Sequence, residues 1–255
     1  MTLVLFAYPG HFRIMQLAHR HALLAFENID RVVVVWDDLF ETDLDYKNQL
    51  KNCIPNCQVI YTSDFESCRN EKDGWLRQQY IKLNLHKLLA DSNWILLDGD
   101  TVLRNFRPLI DKNNTVIVYG DPWEHYQPYF DFIKHALDLD KHDTPSFMSP
   151  YWLCEREVLE AIEKDSQKRH GCDIVTVWQR YQQQHRKWRT LSEVELYGLF
   201  AIKRMNKKFK FATHNLKCCQ QQEFLQLWNA GTQDLCLGGA DNFPEEFWQK
   251  QGIAI

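Results

Sequence analysis

Two aspartates stand one residue apart in NWILLDGDTVLRNF, residues 93–106: Asp98 and Asp100, with Gly99 between them. They close an oily run, Trp94 to Leu97. In an extended segment, residues i and i+2 point the same way, so the two carboxylates share a side. Like charges held together repel unless something positive sits between them. A hard divalent cation with oxygen ligands does that, and it can neutralise a diphosphate as it leaves. Gly99 lets the backbone turn or come close to a ligand. The alternative is a surface Asp-Gly-Asp turn, since both residue types favour turns. The place after an apolar strand favours ligand binding.

The surrounding elements decide whether that place is a site. TLVLFAY reads as a strand, FRIMQLAHRHALLAF as a helix, and RVVVVWDD as a strand buried on both faces. QVIYTS is a short strand. DGWLRQQYIKLNLHKLLA is helical, with Asp73 as N-cap and Leu76, Tyr80 and Leu83 on one stripe. WILLD and TVIVYG are further strands. Strands alternating with helices predict an α/β fold: a Rossmann-type, mainly parallel sheet with helices on both faces. The second half differs. EREVLEAIEKDSQKRH, DIVTVWQRYQQQH and EVELYGLFAIKRM predict a helix-rich C-terminal half, with KFKFAT as one late strand. No linker or repeat divides the chain. Residues 1–255 are expected to form one domain, an α/β nucleotide-type half to about 120 and a helix-rich half beyond it that closes over it. In such a sheet, ligands sit beyond the carboxyl ends of the strands, where Asp98 and Asp100 stand.

Bulk composition narrows the partners. The 255 residues carry a net charge of −4, which argues against a nucleic-acid partner. No window approaches 18 apolar residues, so no transmembrane span is expected, and the N-terminus does not read as a signal peptide. The eight cysteines include CIPNC and the adjacent Cys218-Cys219 but no paired C-x-x-C knuckles, so they read as free thiols in a reducing compartment. The expected location is cytoplasmic, or peripheral to a membrane. Nine Trp and ten Tyr suit packing, and also stacking on sugars or bases.

The sequence resembles the GT-A fold glycosyltransferases, whose D-x-D follows the fourth strand of a nucleotide-binding half. More narrowly, GWLRQQYIKL before ILLDGDTVLRNFRPL, with SEVELYGLF about 90 residues later, is similar to a family of small D-x-D transferases. The likeness covers roughly residues 72–110 well and 145–200 loosely; the first 70 match in pattern alone. RVVVVWDD is also similar to the nucleotide-binding half of the exostosin-like transferases. The resemblance implies a Leloir-type hexosyl- or pentosyltransferase using a UDP- or GDP-sugar, Mn²⁺ or Mg²⁺, and a glycan or glycolipid acceptor. It implies that Asp98 touches the ribose or metal and that Asp100 binds the metal directly. It also implies a further metal ligand near the C-terminus, for which His214 in FATHNLK is the candidate; an ordinary loop histidine is the alternative.

Other residues fit a donor site on that reading. Trp75, Gln78 and Lys82 fall on one helix face, with Arg77 beside them, and a cation there suits a diphosphate. A solvated polar face is the alternative. FAYPGHFR is a one-glycine loop, neither a dinucleotide fingerprint nor a Walker sequence. Its Tyr8 suits base stacking and its Arg13 a phosphate, while Asp37 or Asp38 suits the ribose or base. Trp123, His125 and Tyr126, in the Pro-bounded YGDPWEHYQPYF, have the composition of an acceptor-sugar surface. TPSFMSPYWLC reads as a similar loop, and packed loops remain the alternative for both. An inverting transferase also needs a carboxylate base, and LSEVELYGLF offers Glu193 and Glu195. Two apart on a helix, they point about 200° from each other. Ser192 and Glu195 read as a capping box, which leaves Glu193 as the better base candidate. A first-turn acid favoured by the helix dipole is its alternative.

Two rivals remain. LLDGDTV also fits the nucleophile motif of haloacid-dehalogenase-like phosphatases, although that motif usually follows the first strand. The other is a non-catalytic glycan-binding module. An EF-hand loop fails because Val102 stands where an oxygen ligand is needed.

Overall fold

In chain order the computed structural model contains β1 (Thr2–Ala7), α1 (Phe12–Ala25), β2 (Arg31–Trp36), β3 (Gln58–Tyr61), α2 (Glu66–Arg69), α3 (Gly74–Asn84), β4 (Asn93–Asp98), β5 (Thr101–Val102) and β6 (Val116–Tyr119). It continues with α4 (Gln127–Leu137), β7 (Tyr151–Glu155), α5 (Arg156–His170), α6 (Ile174–His185), α7 (Glu193–Met205), β8 (Phe209–Ala212), β9 (Leu216–Cys219), α8 (Gln221–Ala230), β10 (Asp234–Leu237) and α9 (Glu245–Lys250). The structure describes residues 1–39, 50, 52–120, 125–142, 144–185, 189–213, 216–231, 233–238 and 243–253.

The continuous apolar runs become the inner strands. β1 is buried along its whole length and β2 over its last four residues, as strands covered on both faces must be. The main sheet has the order β3-β2-β1-β4-β7. β1 pairs with β2 and β4 in parallel, as does β2 with β3, while β7 runs antiparallel to β4. The register Ala7↔Trp36 and Phe6↔Asp98 brings the carboxyl ends of β1, β2 and β4 level. With β2 on one side of β1 and β4 on the other, the switch point lies at those three ends.

Alternate side chains of the strands feed two cores. Leu3, Leu5, Val34, Trp36, Ile95 and Leu97 pack with Phe12, Met15 and Ala22 of α1. Val4, Phe6, Val33, Val35, Trp94 and Leu96 pack on the other face with Leu76 and Tyr80 of α3 and with α4 to α7. Helices therefore cover both faces. A third apolar cluster joins Ile14 and Leu17 of α1 to Val102, Phe224, Leu235 and Trp248. It anchors a small sheet of order β5-β10-β9.

Two sequence expectations are corrected. YWLC does not belong to a loop: Tyr151–Glu155 is the antiparallel edge strand β7, with Tyr151, Trp152, Leu153 and Cys154 all buried. TVIVY is a strand, but it lies outside the main sheet and pairs in parallel with β8. The strands β5, β7, β9 and β10 carried too little alternation to be read from sequence. The cysteines are free thiols. Among the described residues, no helix is long and apolar enough to cross a membrane.

Candidate functional site

The switch point opens into a cleft of about 350 Å³ lined by residues of five segments. The β1 end supplies Phe6, Tyr8 and His11, and the β2 end supplies Asp37. Asp73, Gly74, Trp75 and Gln78 come from the start of α3; Asp98, Gly99 and Asp100 come from the end of β4; Arg189 precedes α7. A second hollow, lined by Phe26, Phe106 and Ile110 among others, lies away from this edge and has no paired carboxylates.

Asp98 ends β4 with its side chain 34 % exposed. Burial and the charge of Asp98 together push the Asp100 carboxyl up to about 7. Thr101 Oγ1 donates to Asp100 Oδ1 at 3.2 Å, and Leu237 N donates to the Asp100 carbonyl at 3.0 Å. Gly99 is required by packing. Its N–H donates to Phe6 O at 2.7 Å, and a Cβ there would stand 2.3 Å from that oxygen. The close approach is thus to the neighbouring strand.

Lys82 lies beneath the motif. Its ammonium is 2.9 Å from Asp98 Oδ1 and 2.9 Å from Glu193 Oε1. Burial disfavours the charge, but the two carboxylates outweigh it and hold Lys82 protonated. It therefore ties α3 to β4 and α7. Arg77 is likewise committed: it makes bonds of 2.7 and 3.0 Å to Asp37, and both side chains are 4 % exposed. Thr62 Oγ1 also donates to Asp37 Oδ1 at 2.8 Å. The helix face expected to present cations to the cleft presents Trp75 and Gln78 instead. Asp73 caps α3 as expected, accepting from Trp75 N at 2.9 Å.

The other expected donor residues divide. Tyr8 lines the cleft, with its hydroxyl 2.9 Å from His11 Nε2. Arg13 points elsewhere, paired at 2.9 Å with Glu245 of α9. Asp38 holds the turn after β3, accepting from Ser63 N and Thr62 Oγ1, each at 2.9 Å. His125 and Tyr126 are outside the cleft lining; Tyr126 connects to it through Tyr129, whose ring stacks 6.5 Å from Trp75, whereas His125 packs on Phe130. Trp123 and His214 lie outside the described residues.

The expected capping box is half formed. Ser192 Oγ accepts from Glu195 N at 3.3 Å. The Glu195 carboxylate turns away to Ser146 Oγ, Phe147 N and Lys141, because a buried carboxylate takes the donors that reach it. Glu193 is 6 % exposed on its side chain and faces Lys82. Phe6, His11, Asp73, Gly74 and Arg189 line the cleft and Tyr129 borders it through Trp75, yet sequence reading assigned none of them to the site. Asp73 carried a signal as a helix cap, and the others carried none.

The motif suits a hard cation. Among the described residues, no group of three or more His, Cys, Asp or Glu side chains has metal-holding geometry. Two neighbouring carboxylates are present, and Mg²⁺-like ions commonly use one or two carboxylates with substrate phosphates and water. The raised Asp100 carboxyl marks a place where positive charge is wanted.

The sequence matches no protein-family model and no curated protein. Among solved structures, an active-site mutant of LgtC is similar over all of this chain and 84% of its own, with TM-score 0.52 and 15% identity. Mouse xyloside xylosyltransferase 1 in its apo form gives TM-score 0.48 and 12% identity over 96% of this chain and 99% of its own. The bifunctional glycosyltransferase WbbM gives 0.48 and 11% over 92% and 45%. With its β3-β2-β1-β4-β7 sheet, its D-x-D at the switch point and the LgtC match, the chain has the GT-A glycosyltransferase fold.

Proposed function

We propose that this protein is a metal-dependent glycosyltransferase that moves a sugar from a nucleotide-sugar to an acceptor hydroxyl. The observation that carries this reading is the place of Asp98 and Asp100: side by side, at the carboxyl end of β4, in the cleft at the switch point. Solved structures of the same fold are glycosyltransferases, and that likeness supports the reading as analogy. The D-x-D closes the fourth strand, which does not favour the phosphatase reading.

Asp98 and Asp100 would hold Mn²⁺ or Mg²⁺. When bound, the ion supplies positive charge against the departing diphosphate. Tyr8 and Asp37 line the part of the cleft by β1 and β2, where a nucleoside fits. Arg77 holds Asp37 in place through its paired hydrogen bonds, so its role is positioning. Lys82 does the same for Asp98, fixing one carboxylate oxygen. Glu193 is the candidate base. It begins buried against Lys82, so proton transfer from the acceptor requires that pair to loosen. Trp75 and Gln78 border the acceptor side, which extends over Tyr129 to Tyr126 and His125. The acceptor is a glycan or glycolipid, and the donor a UDP- or GDP-sugar.

The test is a thermal-shift screen of UDP- and GDP-sugars with and without Mn²⁺, on wild type and Asp100→Asn. Wild type is expected to be stabilised by one nucleotide class only when Mn²⁺ is present, and Asp100→Asn to lose that response while staying folded. Full transfer activity in Asp100→Asn would defeat the proposal.

A further inference from the structure

Arg189 breaks a pattern in the backbone. Six non-glycine residues among those described have positive φ: Asn28, Asn56, Asn114, Asp138, Arg189 and Asn206. Five are Asn or Asp, whose short polar side chains tolerate the left-handed region. Arg189, at φ 53°, has no such excuse. A long side chain held in this region costs free energy, and such costs gather at functional sites.

The unusual backbone delivers the guanidinium to the cleft. Its carbon lies 5.2 Å from the Trp75 ring centroid, and Nε lies 4.0 Å from Asp73 Oδ2. The ring face and the carboxylate orient it; at that distance Asp73 steers without a hydrogen bond. The side chain is 45 % exposed, against 4 % for Arg77 and 6 % for Lys82. Those two cations answer Asp37 and Asp98. Among the described residues lining the cleft, Arg189 is the one arginine or lysine, and it shares that lining with Asp98 and Asp100.

We propose that Arg189 binds an oxyanion of the donor's diphosphate in the cleft it shares with the D-x-D. This rests on the glycosyltransferase reading above. The planar fork of a guanidinium matches two phosphate oxygens at once. A second hold on the diphosphate, besides the D-x-D, would fix the sugar–phosphate bond relative to the acceptor. Strain at residue 189 is then the cost of aiming a fork that Arg77 and Lys82, tied down, do not supply.

Calorimetric titration of wild type, Arg189→Ala, Arg189→Lys and Arg189→Gly tests this, using UDP and GDP with Mn²⁺ and the matching nucleosides. For the nucleotide that wild type binds, Arg189→Ala is expected to lose about tenfold or more in diphosphate affinity, the loss of a charge-assisted bond. Nucleoside affinity should not change. Arg189→Lys should recover part of the loss. Arg189→Gly should lose the same affinity yet melt no lower than wild type, since glycine accepts positive φ. If Arg189→Ala binds the diphosphate as wild type does, the inference is overturned and the transferase reading stands. Equal losses for nucleoside and diphosphate would overturn it too, because Arg189 would then shape the cleft rather than grip phosphate. If wild type binds neither nucleotide, the transferase reading falls and takes this inference with it.

Discussion

Lys82 Nζ lies 2.9 Å from Glu193 Oε1, and each side chain is 6 % exposed. The pair joins α3 to the first turn of α7, 111 residues further on in the sequence. Breaking a buried pair by removing one partner is costly, because the other charge is left uncompensated. Lys82→Met is expected to destabilise by about 3–5 kcal/mol, measured by urea unfolding. Adding Glu193→Gln should recover part of that loss. A double variant as unstable as the sum of the singles would show that the two residues are not coupled.

Glu193→Gln alone separates chemistry from support. As the base, it should cut transfer by about 100-fold or more while leaving donor affinity unchanged. Steady-state transfer and donor titration check the two halves. Undiminished transfer would move the base elsewhere, or mark a retaining enzyme that needs none here.

Gly99→Ala tests how the motif is held. The added Cβ would meet Phe6 O at 2.3 Å, a backbone oxygen that cannot swing aside as a flexible side chain could. A cost of about 1–3 kcal/mol is expected, in the range of overpacked cores, with Mn²⁺-dependent nucleotide binding reduced. A variant as stable as wild type, with intact binding, would show that β4 and β1 can part here without penalty.

Glu195 predicts a pH effect. Burial raises its carboxyl above the usual range, although Ser146 and Lys141 pull the other way. Ionising it in the fold is therefore harder than in the unfolded chain. The neutral form's advantage is complete below the ordinary carboxylate pKa and is lost as pH rises through the raised value. The stability of wild type relative to Glu195→Gln should fall across that window. Parallel unfolding curves against pH for the two proteins would contradict this.

Much of this was legible in the chain. RVVVVW and NWILLD announce inner strands because burial on both faces leaves no polar alternation, and a D-x-D at such a strand's end points to the sheet's open edge. The helices of the second half follow from their periodicity. Charge pairing was not legible. Arg77 and Lys82 sit where a diphosphate contact was expected, but their carboxylates, Asp37 and Glu193, are 40 and 111 positions away. Helical spacing gives the side of the helix and leaves the partner open. Arg189 was invisible for a related reason: its signal is a backbone angle, which no residue type announces.

The backbone of Asp100 is held from the other end of the chain. Leu237 N bonds its carbonyl, and Thr101 pairs with Cys236 across β5 and β10. A nascent polypeptide that stalls before residue 234 would have the β1–β4 platform but lack the strand that steadies its second aspartate. Such fragments would be expected to collapse into a recognisable α/β core without fixing the backbone of the D-x-D. Deletions from the C-terminal side, and proteolytic nicks after β9, should therefore silence the protein well before they unfold it.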